Sequence, residues 1–261
     1  MLNIGFIGTG NMATALIKSI KSNIDCNIIS SDSDESKLAR AEKLGVNATK
    51  DNKELVEKSE IIFLCVKPKD INSVLEEIKD LIENKIIVSI AAGIKIENIE
   101  KIIGDKKIAR VMPNVNCLAD EMAAAYSSNK NIDEKDKKII SKLLNSAGLA
   151  LEVKENKMDI VTALSGSGPA FAAYIIKLFA EAGIKQGLNE EDAYNLALQT
   201  FYGTSSLLKK ENIDANELIK MVSSPGGTTV AGREILENSN IKEIIEKTKE
   251  TAFKRSKELG K

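Results

Sequence analysis

Three glycine-bearing stretches and one absence frame the chemistry open to this sequence. Gly8, Gly10 and Ala13 stand at G-x-G-x-x-A spacing in "IGFIGTGNMATALIKSI" (residues 4–20), after a β-rich run and at the start of a helical pattern. The first glycine permits a tight turn, the second lets a pyrophosphate approach the main chain, and Ala13 lets the helix pack on the strand. The helix start then offers unpaired N–H groups and a positive dipole end to phosphates. A dinucleotide is the expected guest. Further on, "SSPGGTTVAG" (residues 223–232) places Thr228 and Thr229 at the entry of another helix. "ALSGSGPAF" (residues 163–171) places Pro169 near the first turn of a long helix, with Ser165 to Gly168 expected at its positive end. Such entries suit a carboxylate, although each alone also reads as ordinary capping.

The absence is histidine, of which the sequence has 0. Catalysis without the usual general base must rely on hydroxyls, lysines, carboxylates, backbone donors or a cofactor. The three cysteines, Cys26, Cys65 and Cys117, are widely spaced and form no CxxC, which speaks against a zinc knuckle or redox dithiol and predicts no metal site. The 37 basic and 38 acidic residues leave a formal net charge of -1, so no global field points to nucleic acid or an anionic membrane. Apolar runs such as "IIFLCV" fall short of the roughly 20 residues a spanning helix needs, and no basic stretch precedes an apolar signal core. The expectation is a cytoplasmic protein with a small-molecule ligand.

These residues need elements to position them. Through about residue 153, β-rich runs ("LNIGFI", "CNIIS", "IIFLCV", "KIIVSI", "KIARVM", then "AAAYS" and "LALEV") alternate with amphipathic stretches such as residues 69–81. That alternation predicts a parallel sheet covered on both faces. After about residue 156 helical patterns take over, at 170–184, 190–210, 216–222 and 241–259. "AFAAYIIKLFAEAGI" is more apolar than one helical hairpin can hide, which predicts pairing with another subunit.

"SSDSDES" (residues 30–36) falls where a ribose 2′ position is read, about 20 residues after the glycines. Asp32 there could accept from a free 2′-hydroxyl, favouring NAD, or Asp32 and Asp34 could merely cap the next helix. "CVKP" (65–68), "AAG" (91–93) and "VMPN" (111–114) each follow a strand, where open parallel sheets bind ligands, and together outline one rim.

At these residues the chain resembles the pyrroline-5-carboxylate reductases. The likeness runs through "IGFIGTGNMATALI", "DNKELVEKSEIIFLCVKP", "IVSIAAGI", "RVMPN", "LSGSGPAF" and "SSPGGTTVAGREILE" in the family's order, with "SPGGTT" the most specific block. It implies an α/β fold, with a Rossmann-like dinucleotide-binding domain over residues 1–155 followed by an all-helical substrate-binding and dimerisation domain over 156–261. It implies reduction of the cyclic imine pyrroline-5-carboxylate to proline by NADPH, with NAD admitted as coenzyme, in a homodimer or a multiple of dimers. By matching motif, Gly8, Gly10, Asn11, Met12, Asn52, Val66, Lys67, Pro68, Ala91, Ala92 and Gly93 correspond to cofactor contacts. Ser224, Gly227, Thr228 and Thr229 correspond to substrate contacts, with Thr229 the expected catalytic residue through a hydrogen bond to the ring nitrogen.

The sequence departs from the family at "MPNVNCLADEM", where Val115 and Asn116 replace Thr-Pro, and Glu211 aligns imperfectly with an acidic position found in some members. Two alternatives stay open. A β-hydroxyacid dehydrogenase shares the opening glycines but needs a basic lysine after the second glycine-rich node, where this chain has Ala172, with Lys177 more than a turn later. A non-catalytic binding protein on the same fold is the other.

Overall fold

The structure, a computed structural model, describes residues 1–260. The chain divides into two compact units, Met1–Ser167 together with the residues from Ala252 onward, and Gly168–Thr251.

The first unit is built on strands β1 (Leu2–Ile7), β2 (Cys26–Ser31), β3 (Asn47–Thr49), β4 (Ile61–Leu64), β5 (Ile86–Ser89), β6 (Lys107–Met112), β7 (Met122–Ser128) and β8 (Gly148–Glu152). They lie in the order β3-β2-β1-β4-β5-β6-β7-β8. Helices α1 (Asn11–Asn23), α2 (Glu35–Lys43), α3 (Asn52–Glu57), α4 (Ile71–Ile78), α5 (Ile96–Ile103), α6 (Glu134–Asn145) and α7 (Met158–Val161) connect and cover them. Side chains alternate across the sheet as strand geometry requires: Ile61 and Phe63 of β4 join one apolar cluster with Leu16, Ile17 and Ile20 of α1, while Ile62 and Leu64 join another with Leu75 and Ile78 of α4. Phe6 and Phe63 are register partners and stack with centroids 4.6 Å apart. Burial on both faces is why these strands read as unbroken Ile/Val/Leu/Phe runs.

The sheet differs from the sequence expectation in two respects. β3 was not anticipated; it is a three-residue edge strand pairing with Ile29, Ser30 and Ser31, too short to carry an alternation. β7 runs antiparallel to β6. Residues 113–121 hold only a short 3-10 turn, Val115–Ala119, whereas a parallel return needs a crossover of about a dozen residues or more. α6 provides such a crossover, and β8 returns parallel to β7.

The second unit contains α8 (Gly168–Lys185), α9 (Glu190–Glu211), α10 (Ala215–Met221), α11 (Thr228–Glu237) and most of α12 (Ile241–Leu259). α8 and α9 close through Ala180, Ala193 and Ala197 with Ile176, and Phe179 meets Phe201 edge-on at 5.0 Å. The segment Glu155–Lys185 is long and apolar enough to cross a membrane by length and composition, which the short apolar runs of the sequence did not suggest.

The end of α12 belongs to the first unit. Ser256 donates to Asp159 Oδ1 at 2.7 Å, and a Cβ added to Gly93 would lie 2.9 Å from the carbonyl oxygen of Leu259. With φ of +79°, Gly93 both makes the turn after β5 and leaves room for this approach.

Candidate functional site

Strand order reverses between β1 and β4, the switch point at which open α/β sheets hold ligands beyond the strands' carboxyl ends. A cavity of about 480 Å³ opens there, walled by Gly8, Gly10, Ser31, Asp32, Ser33, Lys37, Asn52, Val66, Lys67 and Lys69 among others. A larger hollow of about 870 Å³, walled by Asn3, Asn27 and Asn47 among others, lies by the strands' opposite ends and includes none of the expected coenzyme or substrate contacts.

The glycine turn is shaped for a guest. Gly8 has φ of +92°, and a Cβ on it would press to 2.8 Å from the backbone of Cys65. Around a Cβ built on Gly10, by contrast, no atom beyond its chain neighbours lies within 4 Å. Gly10 caps α1 without any side-chain hydrogen bond, and no acidic residue occupies the first turn. The start of α1 therefore keeps its donors and its positive end for an anion. This open cradle fits the pyrophosphate of a dinucleotide.

Of the expected cofactor residues, the cavity brings together Gly8, Gly10, Asn52, Val66 and Lys67. Asn52 is held between Ser31, whose hydroxyl donates to Oδ1 at 2.7 Å, and Glu77, which accepts from Nδ2 at 2.8 Å. Asn11 and Met12 form the first turn of α1, and Pro68 opens the 3-10 turn after β4. Ala91, Ala92 and Gly93 follow β5, outside the cavity wall, with Gly93 turned toward the end of α12. In the altered loop, Asn114 is buried and tied at both ends of its amide: Nδ2 donates to the Ser165 carbonyl at 3.1 Å and Oδ1 accepts from Ala123 N–H at 3.1 Å.

Asp32 and Asp34 have different duties. Asp34 caps α2 by accepting from Ser36 N–H. Asp32 reaches back to the glycine turn, where Oδ2 accepts from Thr9 N–H at 2.8 Å, while Oδ1 accepts from Asp34 N–H at 3.0 Å. Burial alone would raise its pKa, yet these two main-chain donors and Lys37 together hold it below the usual carboxylate value. Burial also pushes the Cys65 thiol up, and the Cys117 thiol to about 11.

The start of α11 in the second unit matches that of α1. Gly227 is its N-cap, with no side-chain hydrogen bond and no acid in the first turn. Thr228 and Thr229 are exposed there. Six other helix starts are filled: Asp34, Asp51, Asp133, Asn189 and Asp214 cap α2, α3, α6, α9 and α10, and Glu155 accepts from Ile96 N–H at the head of α5, whereas α4 and α7, which each continue a 3-10 turn, also lack a capping side chain. The "GSGP" node proves different from the expected open start. Residues Thr162–Gly166 form a π turn in which Ser167 N–H bonds the Thr162 carbonyl and the Ser165 hydroxyl bonds the Val161 carbonyl, so these donors are already satisfied. The lysine relevant to the dehydrogenase alternative, Lys177, is paired with Glu181 at 3.6 Å and largely exposed.

Comparisons with known proteins bear on the same segments. A family profile described as pyrroline-5-carboxylate reductase dimerisation matches residues 155–259, and one described as NADP oxidoreductase, coenzyme F420-dependent, matches residues 3–93. The pyrroline-5-carboxylate reductase of Aquifex aeolicus is 40% identical over 97% of each chain. The chain belongs to the pyrroline-5-carboxylate reductase family. A solved structure of a pyrroline-5-carboxylate reductase from Coxiella burnetii is 34% identical with a TM-score of 0.95, covering 100% of this chain and 99% of that one. The pyrroline carboxylate reductase of Plasmodium falciparum, solved with NADP bound, is 34% identical with a TM-score of 0.85, covering 100% of this chain and 98% of that one.

Sequence reasoning passed over Lys37. Its signal was present: it lies on the first turn of α2, five residues after Asp32, so its side chain can fold back toward the cap.

Proposed function

We propose that the chain reduces pyrroline-5-carboxylate to proline with NADPH, completing proline biosynthesis, as an assembly built from homodimers. The observation that carries this reading is the pair of helix starts, α1 and α11, that begin with glycine and are left without a capping side chain in a chain that caps or fills others. One suits the pyrophosphate of the coenzyme and the other the carboxylate of the substrate.

When bound, the nicotinamide supplies the hydride for the imine carbon. The chain's own residues bind and orient. Gly8, Gly10 and the first turn of α1 hold the diphosphate, with Asn11, Met12, Asn52, Val66, Lys67, Pro68 and Ala91 to Gly93 as the remaining coenzyme contacts. Ser224, Gly227 and Thr228 hold the substrate carboxylate. The Thr229 oxygen accepts the N–H of the protonated ring nitrogen, orienting it, and its hydroxyl then donates to the lone pair that hydride transfer creates, relaying the proton the amine gains. A protonated cyclic imine is already electrophilic, so positioning accounts for most of what the protein must do, and histidine is dispensable. The exposed apolar faces of α8 and α9, together with the dimerisation match, support a homodimer rather than a membrane or nucleic-acid partner; a cytoplasmic location is part of the same proposal.

The test is NADPH and NADH oxidation followed in parallel with pyrroline-5-carboxylate. Thr229→Ala is expected to lower kcat/KM for the pyrroline tenfold or more, about 1.4 kcal/mol, with dinucleotide affinity retained. Unchanged kinetics would remove Thr229 from the reaction. Dinucleotide binding with no pyrroline-dependent oxidation would favour the non-catalytic reading.

A further inference from the structure

Strand β5 ends in the turn Ala91–Gly93, and the sheet order decides which half of a dinucleotide reaches it. The diphosphate cradle lies at β1 and α1, with β2 on one side of β1 and β4, then β5, on the other. A dinucleotide whose adenosine half lies over β2 therefore lays its nicotinamide half across β4 toward the end of β5.

By itself this turn is loosely bonded. Ala91 N–H reaches Ser89 Oγ at 3.3 Å and Ile94 N–H reaches the Ala91 carbonyl at 3.4 Å, both longer than the usual N–H···O range. The shorter bonds around it come from far along the chain. Glu155 Oε1 accepts from Ile96 N–H at 2.8 Å, fixing the passage from the turn into α5, and the buried Arg110 guanidinium backs the same oxygen at 3.4 Å. Further along the same segment, Asp159 Oδ1 accepts from the buried Ser256 hydroxyl at 2.7 Å. Gly260 N–H then closes the end of α12 on the Ser256 carbonyl at 3.2 Å. There two backbones meet. A Cβ on Gly260 would stand 3.2 Å from the Gly93 carbonyl oxygen, and one on Gly93 would stand 2.9 Å from the Leu259 carbonyl oxygen. Both glycines are needed for the approach, and the positive φ of Gly93 accounts for only one of them.

We infer that the end of α12 clamps the 91–93 turn, with Ser256 and Gly260 as positioning residues that hold it in the shape that receives the nicotinamide half of the coenzyme. Residues 155–159 are the strut: Glu155 grips the head of α5 and Asp159 grips α12, so the turn is held from both directions. The clamp stands away from the glycine turn at β1, so it governs how the nicotinamide lies and leaves the adenosine half alone. The inference rests on the coenzyme part of the proposed function.

Titration calorimetry on the full chain with NADPH and with 2′,5′-ADP, which carries the adenosine half alone, tests it. The wild type is expected to bind NADPH more tightly than 2′,5′-ADP. Ser256→Ala and Gly260→Val, each checked for folding by circular dichroism, are expected to weaken NADPH by about fivefold or more, the scale of one lost hydrogen bond, with 2′,5′-ADP unchanged. Asp159→Ala should behave like Ser256→Ala, whereas Asp159→Asn, which keeps the acceptor oxygen, should retain wild-type affinity for both ligands. Equal weakening of the two ligands would make the clamp a general structural support and overturn the inference. Folded Ser256→Ala and Gly260→Val proteins with wild-type NADPH affinity would overturn it too, as would a wild type that binds NADPH no more tightly than 2′,5′-ADP. Any of these results with pyrroline reduction intact in the wild type removes only the clamp; a wild type that binds neither ligand overturns the coenzyme reading as well.

Discussion

The sheet unit and the helical unit bury their apolar residues to very different degrees. In the sheet unit every residue of β4 is buried and both faces carry large side chains, among them Phe6, Phe63, Leu16 and Leu75, at 0% exposure. Between Gly168 and Thr251 the buried apolar side chains are Ala180, Ala193, Ala197 and Leu218. Tyr174, Phe179, Leu196, Tyr202 and Ile235 stay more than half exposed on the single chain. A few alanines cannot offset the conformational entropy of ordering four helices and most of a fifth, so the helical unit needs a second apolar surface to be stable. The sheet unit draws its stability from its own chain; in the proposed homodimer the helical unit draws it from association.

The largest test of this contrast replaces Tyr174, Leu196 and Tyr202 together with Glu. Sedimentation at micromolar protein is expected to show monomer, with loss of the helical unit's thermal transition; an unchanged assembly would break the comparison. Phe63→Ala is expected to cost about 3–5 kcal/mol in chemical denaturation, at a midpoint independent of protein concentration. The paired glycines give a smaller and more diagnostic split. Gly8→Ala is expected to destabilise by about 1–3 kcal/mol because its backbone is left-handed and its space is occupied. Gly10→Ala, in open space, is expected to leave the melting temperature alone and weaken dinucleotide binding measured by calorimetry. Smallest are the two capping boxes, Asp133 on α6 and Asp214 on α10. Alanine at either is expected to cost about 1 kcal/mol. The shift should be independent of concentration for Asp133 and should vary with it for Asp214.

The same contrast explains what could be read from the sequence. β1, β2, β4, β5 and β6 were legible because burial on both faces writes continuous apolar runs, and α12 because its apolar positions recur at helical spacing up to Leu259. β3 was not, since "NAT" at an edge carries no period, and neither was the reversal of β7, which depends on a connection's length and on what it pairs with. At the site, glycines announced themselves because their backbone roles are specific to glycine. The π turn at 162–166 looked like an open helix start because serine, glycine and proline signal either arrangement, and only the hydrogen bonds to Val161 and Thr162 separate the two. Lys37 was obscured because its meaning lies in a contact with Asp32 across the cap of α2.

The anchoring of α12's last turns beside Asp159 and Gly93 makes the helical unit a loop fastened at both ends. When its helices loosen, the freed chain is a closed ring of peptide with less entropy to gain than a dangling tail of equal length. A single protease nick anywhere between Gly168 and Thr251 therefore yields two fragments, each still attached to the sheet, that travel together until a denaturant parts them.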